Sequence, residues 1–249
     1  MLRYILKRIF IFIPTLIIIT LMGFVISINA PGDPVERMVS SAQSGGELGT
    51  QSLSQEKDKI FWRKKLGLDL PVFYFSLTSL SRPDTLYRIY DHNEKEALDR
   101  MIGRYGNWEQ IQHYANGLRA FYSALIAFTP DSSQLKQYDK NTITEHLNQL
   151  KFESLSLRSS YDETIIAAKI SKISAILSGY PFLASFRPSF EQIKNEYATV
   201  KANTSSWKNY VPRIAFYKTQ NQYHRWLFGD GEFSKGLIHL DFGKFPVAK

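Results

Sequence analysis

The pattern of apolar and polar positions changes character once along the chain, just after residue 28. From Ile9 to Ile28 there is no charge, and fourteen of the twenty residues are Ile, Leu, Val or Phe. Twenty helical residues rise about 30 Å, the thickness of a bilayer's hydrocarbon core. At about −0.3 to −0.6 kcal/mol each near the helix centre, the fourteen contribute about −4 to −8 kcal/mol to insertion. Thr15, Thr20, Ser27, Gly23 and Pro14 reduce that total, and Pro14 is expected to bend or weaken the first turns. A cleaved signal peptide fits the basic start less well. The apolar run exceeds the usual core of about 7–15 residues, and the Ile28–Ala30 site reads poorly.

After the span, Pro31-Gly32-Asp33-Pro34 predicts a sharp exit, and Ser40 to Ser54 reads as a loop. A short amphipathic helix is expected from Gln55 to Leu66, closed by Gly67, with Ile60, Phe61 and Trp62 near the membrane surface or on an ordinary helix. Beyond residue 92 the period is helical. Asn93 opens a short helix through Leu98 and Ile102. Trp108, Ile111, Tyr114, Leu118, Phe121, Leu125 and Phe128 form a stripe that begins at Asn107 and ends before Pro130. Thr142-x-x-Glu145, Ser160-x-x-Glu163 and Ser189-x-x-Gln192 read as capping boxes for three more helices. Each stripe is apolar on one face, so the helices need one another.

The fold class expected is therefore mainly α: one N-terminal transmembrane helix followed by an extracytoplasmic helical domain. The boundaries read as 1–30 for the cytoplasmic start and span, 31–83 for an outer segment, 84–206 for the helical domain and 207–249 for a closing segment.

Charge sets the orientation. Arg3, Lys7 and Arg8 precede the span, while Asp33 and Glu36 follow it, which places the N-terminus in the cytoplasm. The net charge of +8 has no long Lys/Arg run behind it, and no nucleic-acid motif accompanies it. With no cysteine, disulfides and thiolate chemistry are excluded. His92, His113, His146, His224 and His239 are scattered without metal-ligand spacing, and no hydrolase, P-loop or dinucleotide motif occurs. The expectation is a non-enzyme with no catalytic, cofactor-binding or metal residues.

Three stretches then line up in order. The opening MLRYILKRIFIFIPTLIIITLMGFVISINAPGDPV contains Pro31, Gly32, Asp33 and Pro34. The second is Lys65-Leu66-Gly67-Leu68-Asp69-Leu70-Pro71. The third runs from Tyr223-His224-Arg225-Trp226-Leu227 to Leu240-Asp241-Phe242-Gly243, with Pro246-Val247 closing it. Together they resemble the permease subunits of dipeptide, oligopeptide and nickel ABC importers, whose first membrane helix leads into PGDP, then LGLD-x-P, then GDFG before the second membrane helix. Leu240 stands where that pattern usually has Gly. The resemblance covers about 1–75 and 216–249, so the middle reads as an insertion.

The resemblance implies an importer of peptides or similar small solutes in the bacterial inner membrane, working by alternating access. Its partners would be the bilayer, a second permease subunit, cytoplasmic ATPase subunits that bind the ATP, and an extracytoplasmic substrate-binding protein. Further membrane helices are expected in such a permease, so the chain reads as a fragment of one. A single-pass anchored helical sensor or scaffold is the alternative.

Overall fold

The apolar opening forms one helix, α1 (Leu2–Ile28), long and apolar enough to cross a membrane, with a mean hydropathy of 2.8 over its most apolar 18 residues. In a computed structural model of the chain, residues 2–29, 34–36, 39, 51–130, 138–231 and 234–240 are described, residues 2 and 51–57 by backbone alone. Helix α1 begins at Leu2 rather than Ile9, because Leu, Arg and Lys are good helix formers and carry the same ladder through the basic start. It runs on through Pro14, where the Thr15 hydroxyl donates to the carbonyls of Ile11 and Phe12 at 3.1 and 2.8 Å. Nearly all of its side chains are exposed; Phe24 is the buried exception.

Helix α2 (Gln51–Leu66) starts four residues before the expected Gln55, so 51–54 is helix and not loop. The remainder of the expected loop, 40–50, lies outside the described residues, as do Pro31, Gly32 and Asp33, while Pro34 stands in a helical turn. Gly67 closes α2 as expected, at φ +70°. Its N–H donates to Lys64 O and that of Leu68 to Arg63 O, so two carbonyls left open by the helix end are satisfied.

The chain divides into two compact units. One is Met1–Ser76 with Ile214–Lys249; the other is Leu77–Arg213. Both crossings lie in strands absent from the expected pattern, β1 (Phe75–Ser79) and β2 (Pro212–Phe216), which form a two-stranded sheet. The pair is antiparallel: Tyr217 N–H donates to Tyr74 O near one end, and Leu80 N–H to Val211 O near the other.

The second unit holds α3 (His92–Tyr105), α4 (Trp108–Ala127), α5 (Lys140–Arg158), α6 (Glu163–Gly179) and α7 (Arg187–Ala202). Its core takes in most of the expected stripes: Leu98, Ile102, Ile111, Tyr114, Leu118, Phe121, Leu125, Ile143, Leu147, Leu150, Ile166, Ile173, Leu177, Ile193, Tyr197 and Val200 are buried together, while Trp108, Phe128 and Ile170 are only partly buried against them. Phe121 packs edge-to-face with Phe186 and tilted against Phe190, with ring centroids 6.1 and 5.4 Å away.

The helix starts differ from the capping boxes. Asp139 caps α5 instead of Thr142, and Asp162 caps α6 instead of Ser160, each accepting a backbone N–H of its first turn. A carboxylate gains from the positive helix N-terminus as well as from the hydrogen bond, so it outcompetes a nearby hydroxyl. Helix α7 opens with Pro188 in its first turn, and Ser189 lies inside it with its hydroxyl on Phe186 O. Asn107 occupies the expected cap position, but its amide donates to Val200 O and Asn203 O, tying α4 to the end of α7.

The hydrogen bonds that cap α6 hold Asp162 below its ordinary pKa of 3.8, Thr164 contributing most, and Lys201 holds Glu163 below 4.5. A carboxyl depressed on folding contributes stability above its unfolded pKa and loses it as pH falls through the folded value. Unit 77–213 should therefore unfold at progressively lower urea concentration as the pH drops below about 4. Asp162→Asn, which keeps a capping oxygen without a charge, should make that dependence shallower.

Candidate functional site

Among the described residues no group of three or more His, Asp or Glu side chains is placed to hold a metal ion. The cleft between Asp91, Glu94, Phe152 and Arg158 is about 260 Å³, and its charges serve each other: Glu94 accepts from Arg119 at 2.7 Å and from Arg158 at 2.6 Å. His146 stacks on Tyr180, His239 contacts Lys235 O, and His92 and His113 face solvent. The motif residues that are described lie elsewhere, in the unit that contains α1.

There the Leu66–Pro71 turn meets helix α8 (Gln222–Phe228). The two are more than 150 positions apart in sequence, and backbone chemistry joins them. A helix leaves its first N–H groups without internal acceptors. In α8, Gln222 N–H donates to Pro71 O at 2.8 Å and Tyr223 N–H to Val72 O at 3.1 Å. His224 N–H donates to the capping Asn221 Oδ1 at 2.8 Å, and the Gln222 side chain adds a bond to Leu70 O at 2.7 Å. Asn221 is fully buried and anchors its own amide on Lys218 O.

Arg225 locks the other end. Its guanidinium donates to Lys65 O, pairs with Asp230, and lies across Gly67, where a Cβ would come within 2.7 Å of Arg225 Cδ. Glycine suits position 67 for its left-handed backbone, and a Cβ there would also have to push the Arg225 side chain aside.

Aromatic residues tie this module to α1. Tyr223 is buried, with its ring 5.1 Å from that of Phe24 and its hydroxyl 2.9 Å from Thr20 Oγ1. Trp226 lies 5.6 Å from Phe24 and passes beside Gly23. Phe73 contacts Tyr223 in turn at 5.2 Å, and the Tyr74 hydroxyl bonds His224 Nδ1 at 3.1 Å. Thr20 and Gly23 sit three apart and so share one face of an apolar helix, where their small size leaves room for a neighbour, so that signal was present in the sequence. Arg225 carried no such signal, because nothing local marks which carbonyl an arginine will reach.

Compared with known proteins, the chain matches no family model, no curated protein and no solved structure.

Of the motif residues named from sequence, Leu66, Gly67, Leu68, Asp69 and Pro71 belong to this module and Pro34 lies in its unit. Pro31, Gly32, Asp33, Asp241, Phe242 and Gly243 lie outside the described residues. After α8 the chain turns at Gly229 and Gly236, both at positive φ and so close that a Cβ on either would overlap backbone. It then reaches Leu240 at φ 54° and ψ 27°, the left-handed conformation that glycine takes without strain. That conformation costs an L-residue about 1–2 kcal/mol. Leu240→Gly should therefore raise the stability of this turn by about 1 kcal/mol, read as slower amide exchange from Gly236 to Leu240; faster exchange would refute it.

Proposed function

We propose that the chain contributes the first membrane helix and the external segment of an ABC importer permease for peptides or similar small solutes. It would reside in the bacterial inner membrane with its N-terminus cytoplasmic, the side on which Arg3, Lys7 and Arg8 are favoured. A second permease subunit would complete the pathway, ATPase subunits would drive alternating access, and an extracytoplasmic binding protein would deliver the solute. The chain itself has no catalytic role in this reading.

One observation carries the proposal. The segments that resemble such permeases, about 1–75 and 216–249, are the ones that fold with α1 into a compact unit, Met1–Ser76 with Ile214–Lys249. The stretch without resemblance, Leu77–Arg213, is a compact unit with its own core. That is the organisation expected of a domain inserted into a permease's first external segment. The conformation of Leu240, at a position where the resembling pattern has Gly, lends further support.

The test is uptake. A strain lacking the chain should lose ATP-dependent accumulation of at least one member of a panel of radiolabelled di- and oligopeptides and nickel ions. The intact chain should restore it, and the affinity-tagged chain should co-purify with an ABC ATPase pair and a second permease. Unchanged uptake across the panel, with no ATPase co-purifying, would refute the permease. It would leave the single-pass anchored scaffold, which the self-contained core of 77–213 also supports.

A further inference from the structure

We infer that α8, together with the Val72 turn on which it is docked, is seated in the bilayer at the C-terminal end of α1 and contacts lipid through Phe228 and Val72. The inference rests on α1 crossing the membrane and adds a second, peripheral membrane contact to it.

Depth is the first argument. Charges end at Arg8, and the uncharged run from Ile9 to Ile28 matches the hydrocarbon thickness, so lipid must reach the last turns of α1. Thr20 and Phe24 precede Ile28 by eight and four residues, which places them about 12 and 6 Å inside the end of the span. Tyr223 and Trp226 pack at those two levels, through the 2.9 Å bond to Thr20 and the ring contacts to Phe24. The aromatic side of α8 therefore lies below the edge of the apolar layer.

Coverage is the second. Helix α8 shields one side of α1 only. Met22, Val25 and Ile26, in the same turns, remain exposed at 62, 50 and 71 %. Left in water, those side chains would forfeit the burial that holds the helix in place. Lipid that covers them stands beside α8 at the same height.

Chemistry is the third. A segment in the apolar or interfacial layer must satisfy its own polar groups. The first N–H groups of α8 are taken up by Pro71 O, Val72 O and Asn221 Oδ1. His224 bonds Tyr74, Gln222 bonds Leu70 O, and Arg225 is engaged by Lys65 O and Asp230. The most exposed residue of α8 is apolar, Phe228 at 48 %, beside Val72 at 49 %, while Gln222, His224 and Arg225 are only partly exposed and have their partners. Tyr and Trp, the residues favoured where a bilayer meets water, form its inner side.

The chain has no cysteine, so single cysteines carry nitroxide labels without background. Labels at Phe228 and Val72 are to be compared in phosphatidylcholine liposomes with one at Ile17, near the bilayer centre, and one at the solvent-exposed Glu191. Collision with oxygen, which concentrates in lipid, is set against collision with a water-soluble nickel chelate. The expected result is an oxygen-to-nickel ratio several-fold above that of Glu191 at both sites and below that of Ile17. A ratio equal to that of Glu191, with Ile17 still in lipid, would overturn the seat while leaving α1 as a membrane helix. Access by neither reagent would mean protein covers these sites, and also overturns it. A nickel-accessible Ile17 would remove the membrane reading and the seat together.

Discussion

Replacing both Ile17 and Ile18 by Arg should release the chain from the membrane. Each substitution loses about 0.3–0.6 kcal/mol of favourable transfer and adds about 2.5–3.5 kcal/mol for an arginine near the helix centre, about 6–8 kcal/mol for the pair. That is as large as the whole apolar contribution of the span. Both side chains are more than half exposed, so the change leaves the Thr20, Gly23 and Phe24 contacts in place. Alkaline carbonate extraction of membranes reads the outcome. Wild-type chain should stay in the pellet and the double variant should move to the supernatant. If both remained in the pellet, α1 would not be what holds the chain. If both were soluble, α1 would not be a membrane anchor at all.

Glu94→Ala should destabilise the 77–213 unit by about 3–5 kcal/mol, the usual cost of removing one partner from a buried charge cluster. Glu94 is 3 % exposed and accepts from both Arg119 and Arg158. Arg119 can turn to solvent once released. Arg158 cannot: its side chain is 10 % exposed, its guanidinium lies over the Tyr122 ring, and its Nε is buried without a partner. Glu153 offers the contrast. It is as buried as Glu94, but its closer cation, Lys172, is 54 % exposed at the side chain and hydrates readily, and the second, Lys169 at 3.6 Å, is 20 % exposed on a flexible stem that can carry its ammonium to water. Glu153→Ala should cost only about 1 kcal/mol. Urea unfolding of the full chain, followed by far-ultraviolet circular dichroism, compares them. Glu94→Leu with Arg158→Met should recover most of the loss, since an apolar pair of similar volume needs no compensation. Equal effects of Glu94→Ala and Glu153→Ala would show that the fate of the cation does not decide the cost.

The helical core was legible because a helix repeats its burial locally. The stripe Ile111, Tyr114, Leu118, Phe121 and Leu125 reads as one face from spacing alone, and those residues are buried together. Gly67 was legible as a helix stop for a similar reason, since the end of α2 needs a residue free to take positive φ. Helix starts were less so. A hydroxyl at Thr142 and a carboxylate at Asp139 both offer an oxygen, and the choice turned on the helix dipole and on where packing let the first turn begin. The strands β1 and β2 were not legible at all. Pro212–Phe216 is short and mostly exposed, and Phe75–Ser79 alternates with its apolar Phe75 and Leu77 on the exposed side, so neither shows the buried apolar face that marks a half-buried strand. Each exists because the other is brought beside it.

Sequence alone therefore determined the apolar length of α1, the helical class of the chain, the faces that form the core and the order of the motif segments, because each depends on residues within a few turns of one another. Tertiary structure decided the rest. It set Tyr223 against Thr20 and Phe24, laid Arg225 across Gly67, gave the first N–H groups of α8 the carbonyls of Pro71 and Val72, and confined Arg158 with Glu94. Those contacts join residues far apart in the chain, and nothing in a local pattern states which distant carbonyl or carboxylate will meet an unsatisfied donor.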